Sequence, residues 1–421
     1  MQIRKSRTLL LHFETRPALD LGEMLRGTLS FHAQDRPVAT SMLTGKSRLL
    51  HDAEVRFFCQ LSSLDWIPSE SAMERYDMES AAIGDFLELG FLIGDSQDSA
   101  IRLLREREER FAAMEWDAYA FCYHMMNRTK DTDAFENLKG PNSIEGIERK
   151  ETANDTPDYY GMMSYLSNQL RSTAFHLGPA PTHFFEVPNA IERRTIPSPK
   201  HDGPLFRLLR KRKTVRLFDS QNPMTEEELS TVLYFTFGCQ GIAPLTEGVT
   251  ALRKTSPSGG ALHPIEAYPL VLNVTGWTPG LYHYNVQHHR MDLLRNLDSA
   301  EAERLAVIFT AGQSYFATAP VLFILTARFQ RNFWKYRRAP RSFRVIQLDA
   351  GHLSQTLSLV CTELGLGAFF TAAINDINIE EILGIDAVEE GVVGVMGCGH
   401  PVSSYALSLE TLPYVPGEQL P

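Results

Sequence analysis

Cysteine is scarce in this sequence, and the five that occur are scattered. Cys59, Cys122, Cys239, Cys361 and Cys398 form no C-x-x-C pair, and no histidine stands at metal-ligand spacing from them. That pattern gives no zinc site and no other metal site, and it fits reduced thiols in a cytosol. Long apolar runs are missing too. Nothing is long enough to span a bilayer, and the run in MQIRKSRTLLLHFE is too short for a signal peptide, so the expectation is a cytoplasmic protein. Positive charge is in deficit: 51 Asp and Glu against 41 Lys and Arg leave a formal net charge of −10. A balance of that sign argues against nucleic acid or an anionic membrane as the main partner. Internal repeats are absent. What is there is a chain of 421 residues, 43% hydrophobic and 22% charged, enough for two or three domains with their own cores.

Residues 1–110 begin with a short strand over Thr8 to Phe13. Short helical patterns follow, VRFFCQLSSLDW and then, after a break at Pro68-Ser69, SAAIGDFLELGFLIGD. Ile83, Phe86, Leu87 and Phe91 stand at helical spacing, with Gly90 as terminator. Helix, turn, helix and a short apolar strand resemble a winged-helix module, which predicts a candidate peptide-docking domain using strand addition. The plainer alternative is a small helical domain that only packs on its neighbour. Residues 111–200 form a helical connector with a polar loop and a Pro-rich linker. A single helix is predicted over Ser99 to Met126 and another over Tyr160 to Leu177. A domain boundary falls near residue 200.

From 201 to 421 the pattern changes. Thr225 and Glu228 make a T-x-x-E capping box for a helix that Gly238 ends. Strands are expected at Tyr268–Val274, Leu281–Tyr284, Pro320–Thr326, Ala368–Ile374 and Val392–Met396, and a helix over Val345–Leu364. Strands interleaved with long helices predict an α+β domain, a mixed sheet flanked by helices.

Three stretches in this half carry candidate chemistry. RKTVRLF places Arg212, Lys213, Thr214 and Arg216 on an extended segment whose alternate side chains share a face, suited to a phosphate and a carbonyl-rich ring. In TSPSGGALHPIEAY, Ser256, Ser258, Gly259 and Gly260 let backbone N–H groups approach an anion or a ring closely. FWKYRRAPRSFR belongs to a run with seven basic residues (Arg328, Arg331, Lys335, Arg337, Arg338, Arg341, Arg344) and no acidic one. A lysine packed among like charges beside Phe333, Trp334 and Tyr336 is a candidate base with a depressed pKa. Each has a bland reading: a Gly-Gly turn, a cationic surface, a solvated helix face.

Together these stretches, followed by LDAGHLSQ, LGLGAFF and GCGHP, resemble the SagB-type branch of the nitroreductase family over roughly residues 204 to 402. The resemblance implies a nitroreductase-like FMN-binding fold and a homodimer with FMN at the subunit interface. It also implies oxidation of thiazoline or oxazoline rings to thiazole or oxazole in a ribosomally made, post-translationally modified peptide, with dioxygen as final acceptor. By similarity, Arg212, Lys213, Thr214 and Arg216 hold the FMN phosphate and pyrimidine edge. Ser256, Pro257, Ser258 and Gly259 line the cofactor, and Gly365, Leu366 and Gly367 pass beside the ring. Lys335 and Tyr336 match the branch's catalytic pair, and which of them takes the proton stays open. His263 stands where the branch more often has an aromatic residue. Implied partners are the modified precursor peptide and a cyclodehydratase complex. Two other readings stay open: an NAD(P)H-dependent nitroreductase or quinone reductase, and a non-catalytic peptide-binding scaffold.

Overall fold

The computed structural model describes residues 1–19, 26, 31–132, 171, 175, 178, 184–197 and 202–402. The helix expected over Tyr160 to Leu177, most of the polar tract before it and parts of the linker after it lie outside the described residues. The chain divides into two units, neither continuous in sequence. One comprises Met1–Arg128, Arg328–Arg344 and Gly384–Gly391; the other comprises Thr129–Ala327, Val345–Leu383 and Val392–Pro421. The stretch bearing Lys335 and Tyr336 thus clusters with the N-terminal residues.

In the first unit, strand Gln2–Lys5 lies between Ile67–Pro68 and Leu92–Gly94 in an antiparallel three-stranded sheet. Helices Asp52–Gln60, Ser69–Tyr76 and Ser80–Leu89 pack on it and bury Phe57, Phe58, Ile83, Phe86 and Leu87. Helix, strand, helix, helix, strand, with the N-terminal strand between the two others, is a winged-helix-like arrangement. Gly90 ends the third helix at φ 76°, a conformation that glycine adopts without steric cost. Glu108, fully buried, accepts bonds from the Arg4 guanidinium, the Ser6 hydroxyl and the Arg7 N–H. The strand expected at Thr8 to Phe13 is only the start of Leu9–Leu19, which pairs along its length with Phe31–Ser41.

The single helix expected over Ser99 to Met126 is two, Ser99–Ala113 and Ala118–Met126. Glu115 turns left-handed at φ 54°, and Asp117 caps the second helix by accepting from the Ala120 N–H at 2.9 Å. The break lets Trp116 bury its ring, with its indole N–H donating to the Val388 carbonyl at 2.9 Å.

In the second unit, the described strands include a six-stranded sheet. Its order is Arg290–Asn296, Gly280–Asn285, Ile265–Val271, Val321–Arg328, Glu390–Gly399 and Gly367–Thr371. The five expected strands are all present, with ends shifted by a few residues. The capping box forms as expected, the Thr225 hydroxyl accepting from the Glu228 N–H and the Glu228 carboxylate from the Thr225 N–H. Leu270, Leu322, Ile324, Phe309, Phe316, Phe369 and Val395 form the core around the sheet. Phe316 stacks on Phe369 at 3.6 Å between ring centroids. The helix expected from Val345 begins at Arg341 and ends at Glu363. The hairpin Gly241–Thr246 and Val249–Arg253 escaped prediction because its side chains are mostly solvent-facing and lack an apolar period.

Candidate active site

Arg212 caps helix Pro204–Lys211, and the chain then runs extended. Val215 and Leu217 point into the core, while Arg212 and Arg216 are half-buried on the other set and Lys213 and Thr214 are exposed. The Val215 N–H donates to the Ala368 carbonyl at 2.9 Å, and Thr214 bridges Ala368 in parallel. RKTVRLF and LGLGAFF therefore lie side by side. Gly367 permits this: a Cβ there would sit 2.5 Å from the Val215 Cβ. Gly365, at φ 76°, closes the long helix, with the Leu366 N–H donating back to Cys361 at 2.7 Å and Leu366 itself buried.

The serine-glycine loop is fixed by the Arg341–Glu363 helix. Asp349, 3% exposed, accepts from the Ser258 hydroxyl at 2.5 Å and from the Gly259 N–H at 3.1 Å. Ser256 Oγ lies 2.6 Å from Thr356 Oγ1, and His352 Nδ1 donates to the Pro257 carbonyl at 3.2 Å. Val345 packs so close that a Cβ at Gly259 would meet its Cγ1 at 2.1 Å. These donors hold the loop itself, where the sequence pointed to donors offered to an anion. His263 also pins the loop: its N–H donates to Ser258 Oγ at 2.9 Å, and its Nε2–H to the Leu252 carbonyl at 3.1 Å. Gly260, Ala261 and His263 all have positive φ, a strained path for the two that carry a Cβ. The loop lines a small open cleft with Lys254, His263, Asp349, Phe237 and Leu353.

Sequence reasoning missed three residues here. Lys254 lies one position ahead of the motif. Asp349 anchors the loop by accepting from Ser258 and Gly259, and Thr356 meets Ser256. The signal was present, since Asp349, His352 and Thr356 recur at helical spacing as a polar stripe on the helix.

Lys335 and Tyr336 belong to the other unit, on the last turn of helix Phe329–Tyr336. Phe329 and Phe333 are buried against Trp116, ring centroids at 4.7 and 4.6 Å, and Asn332 is buried beside them. The i, i+3, i+4 spacing of these three turns Arg331, Trp334 and Lys335 to solvent. Lys335 is thus exposed, not packed as expected, with its Nζ 5.7 Å from the Tyr336 ring centroid. Arg337 ends the helix, its N–H donating to Phe333 at 2.7 Å.

Other titratable groups are removed from acid–base work by burial. His124 stacks on Trp116 and donates from Nε2 to the Ala387 carbonyl at 2.9 Å. Its pKa is lowered to about 3, by burial first and by the Arg128 charge second. Tyr284 is pushed up to about 12 by burial, so it stays protonated. Burial raises the Cys361 thiol, which is hydrogen-bonded to buried Cys398. Among the described residues, no group of three or more His, Cys, Asp or Glu is placed to hold a metal ion. No described helix is long and apolar enough to cross a membrane.

The model of the nitroreductase family matches residues 209–400, the stretch holding all of these motifs. The chain is 36% identical over 180 residues to "Putative nitroreductase MJ1384" of Methanocaldococcus jannaschii, covering 42% of this chain and 83% of that one. It is 38% identical to the trifolitoxin-processing protein TfxB of Rhizobium leguminosarum, over 34% of this chain and 38% of that one. It is 28% identical to the microcin B17-processing protein McbC of Escherichia coli, over 32% of this chain and 50% of that one. This chain belongs to the nitroreductase family.

Proposed function

We propose that this protein is an FMN-dependent dehydrogenase that oxidises thiazoline or oxazoline rings of a ribosomally made peptide to thiazole or oxazole. The observation that carries the reading is the pairing of Thr214–Val215 with Gly367–Ala368, which makes one surface of the cation-hydroxyl cluster and the glycine turn. That surface fits FMN. Two guanidiniums, an ammonium and a hydroxyl on one extended segment suit a phosphate and a pyrimidine edge. The turn at Gly365 offers no side chain to obstruct a flat ring. The two peptide-processing relatives support a peptide substrate.

A bound flavin supplies two-electron oxidation, with dioxygen as the final acceptor. The protein's own task is the proton. Lys335 is proposed to take it from the ring carbon, and Tyr336 to orient the amine or relay the proton. Arg212, Lys213, Thr214 and Arg216 hold the cofactor, and the loop from Ser256 to Gly259 walls it.

The partners proposed are the modified precursor peptide, a cyclodehydratase complex and a second copy of the chain. Helix Pro204–Lys211 supports the homodimer: it buries none of its residues and exposes Leu205, Phe206 and Leu209. The region proposed to dock the peptide is the winged-helix-like part over residues 1–110.

A second reading is an NAD(P)H-dependent nitroreductase, favoured by the 36% identity that covers 83% of the archaeal relative. Anaerobic mixing with an azoline peptide separates the two readings. The first expects bleaching of the flavin in a single turnover, slowed roughly 10²- to 10⁴-fold by Lys335→Ala. Lys335→Arg gives no rescue, since a guanidinium stays protonated. Bleaching by NADPH but not by the azoline peptide overturns the first reading for the second.

A further inference from the structure

We infer that Asn332 is a positioning residue for the reaction: its side-chain amide ties the helix end bearing Lys335 and Tyr336 to the helix that follows, and so places the base. The inference deepens the proposed function and rests on its reading of Lys335 and Tyr336 as the reacting pair.

The first observation is a buried amide paired at one end only. Asn332 is fully buried on helix Phe329–Tyr336, between Phe329 and Phe333, whose rings pack on Trp116. Its Nδ2–H donates to the Ser342 carbonyl at 3.3 Å, in the same unit. Its Oδ1 is buried and meets no donor among the described residues. A buried acceptor without a donor destabilises the fold, and leucine, branched at the same carbon, would fill such an apolar place without that penalty. The paired end is not required for folding either. Ser342 belongs to helix Arg341–Glu363, where a carbonyl is reached by the N–H four residues on. A side chain that weakens the fold and completes nothing the fold leaves open points to a task outside folding.

The second observation is what the bond spans. Lys335 and Tyr336 are the last two residues of their helix, where helices fray. The chain then turns through local bonds. The Arg337 N–H donates to Phe333 at 2.7 Å, the Ala339 N–H to Tyr336 at 3.1 Å and the Ser342 N–H to Ala339 at 2.9 Å. The Asn332 bond reaches over all of these, joining residues 10 apart in sequence. Asn332 stands three residues before Lys335 and four before Tyr336, so its tie lies one helical turn beneath both. Lys335 is exposed, which leaves its reach to the position of that turn. A displacement of about 1 Å can slow a reaction roughly 10²-fold.

The experiment is anaerobic single-turnover flavin reduction in the full-length protein by a short synthetic peptide bearing one thiazoline, with thermal unfolding of the same samples. Asn332→Leu is expected to lower the rate at saturating peptide about 10²-fold. It should leave the half-saturating peptide concentration unchanged and unfold at or above the native midpoint. Asn332→Ala is expected to lose the rate by a similar factor while unfolding below the native midpoint, because it leaves a cavity. In a Lys335→Ala background neither change should slow the reaction further, since the tie then has no base to place. Rate losses that follow the unfolding midpoints, and not the loss of the amide, overturn the inference, as do equal losses with and without Lys335. A native rate in Asn332→Leu beside a slow Lys335→Ala overturns the inference alone. A Lys335→Ala protein as fast as the native one overturns the reading of the pair, and the inference with it.

Discussion

Gly259 and Gly367 in one unit, and Lys335 and Tyr336 in the other, occupy opposite kinds of environment. Each glycine is fixed by what lies against it, Val345 or Val215, at distances no Cβ tolerates. The loop beside Gly259 is bonded to a buried carboxylate. Lys335 and Tyr336 ride on a helix whose anchors are other residues, Phe329 and Phe333 against Trp116. In the first case the residues proposed to meet the cofactor are also the residues that let the chain fold. In the second the groups proposed to react hang from a scaffold that does not use them. Substitutions should therefore cost stability in one region and only chemistry in the other.

The hardest test of that contrast is Gly367→Val. With the Val215 Cβ 2.5 Å from the new Cβ, either Gly367–Thr371 or the RKTVRLF segment must move. Overpacking of this kind costs typically 1–3 kcal/mol, and here the upper end or more is expected because backbone is displaced. Urea unfolding reads the loss of stability and absorbance the loss of flavin. A variant with native stability and native flavin content would break the comparison at its strongest point.

The second test asks what holds the other scaffold. His124 is kept neutral in the fold, its pKa lowered from 6.5 to about 3, whereas the unfolded chain protonates it freely. Its contribution is fully present above pH 6.5 and is lost as pH falls from there towards about 3. The slope is up to ~1.4 kcal/mol per pH unit. Urea midpoints at pH 7 and pH 5 should separate more for the native protein than for His124→Gln, in which other titrating groups cancel. Equal separations would mean that the stacked histidine does not titrate on unfolding.

Asp349→Asn comes next. An amide accepts less well than a carboxylate, and one of its two ends now donates, so the bond from Ser258 or from Gly259 weakens. About 1–2 kcal/mol of stability is expected to go, together with part of the flavin affinity. Full retention of both would mean that the loop is held by Ser256, Thr356 and His263 alone.

How much of this the sequence disclosed depends on the same contrast. The Thr225–Glu228 box and Gly90 were legible because local backbone demands write themselves into residue type. RKTVRLF and SPSGG were legible as candidates for the same reason, but their partners were not. The approach of Val215 to Ala368, and of Ser258 to Asp349, is a product of tertiary packing between distant segments, and no local period encodes it. The break at Glu115 was missed because an acidic residue in a left-handed conformation looks, in sequence, like any other helical position. Lys335 was picked out by its charged neighbours, yet charge density does not report burial. Phe329, Asn332 and Phe333 decide that, and their spacing puts Lys335 on the opposite face.

The smallest expected effect on stability is the one that isolates the chemistry. Lys335 is exposed, and no fold contact depends on it beyond its 5.7 Å approach to the Tyr336 ring. Replacing it with alanine removes a weak cation–ring attraction and a favourable cation at a helix C-terminus, and it gains the better helix former. These terms are small and of opposite sign, so Lys335→Ala should lie within about 0.5 kcal/mol of native stability. Tyr336→Phe keeps the ring and should lie equally close. Both variants should therefore fold, keep flavin and differ only in single-turnover reduction by an azoline peptide. A reacting base predicts that dissociation of stability from rate; a residue that merely shapes the helix end predicts that the two change together. Urea midpoints measured beside flavin-reduction rates decide between them. A Lys335→Ala protein that lost stability in proportion to its rate would return FWKYRRAPRSFR to the role of a surface helix.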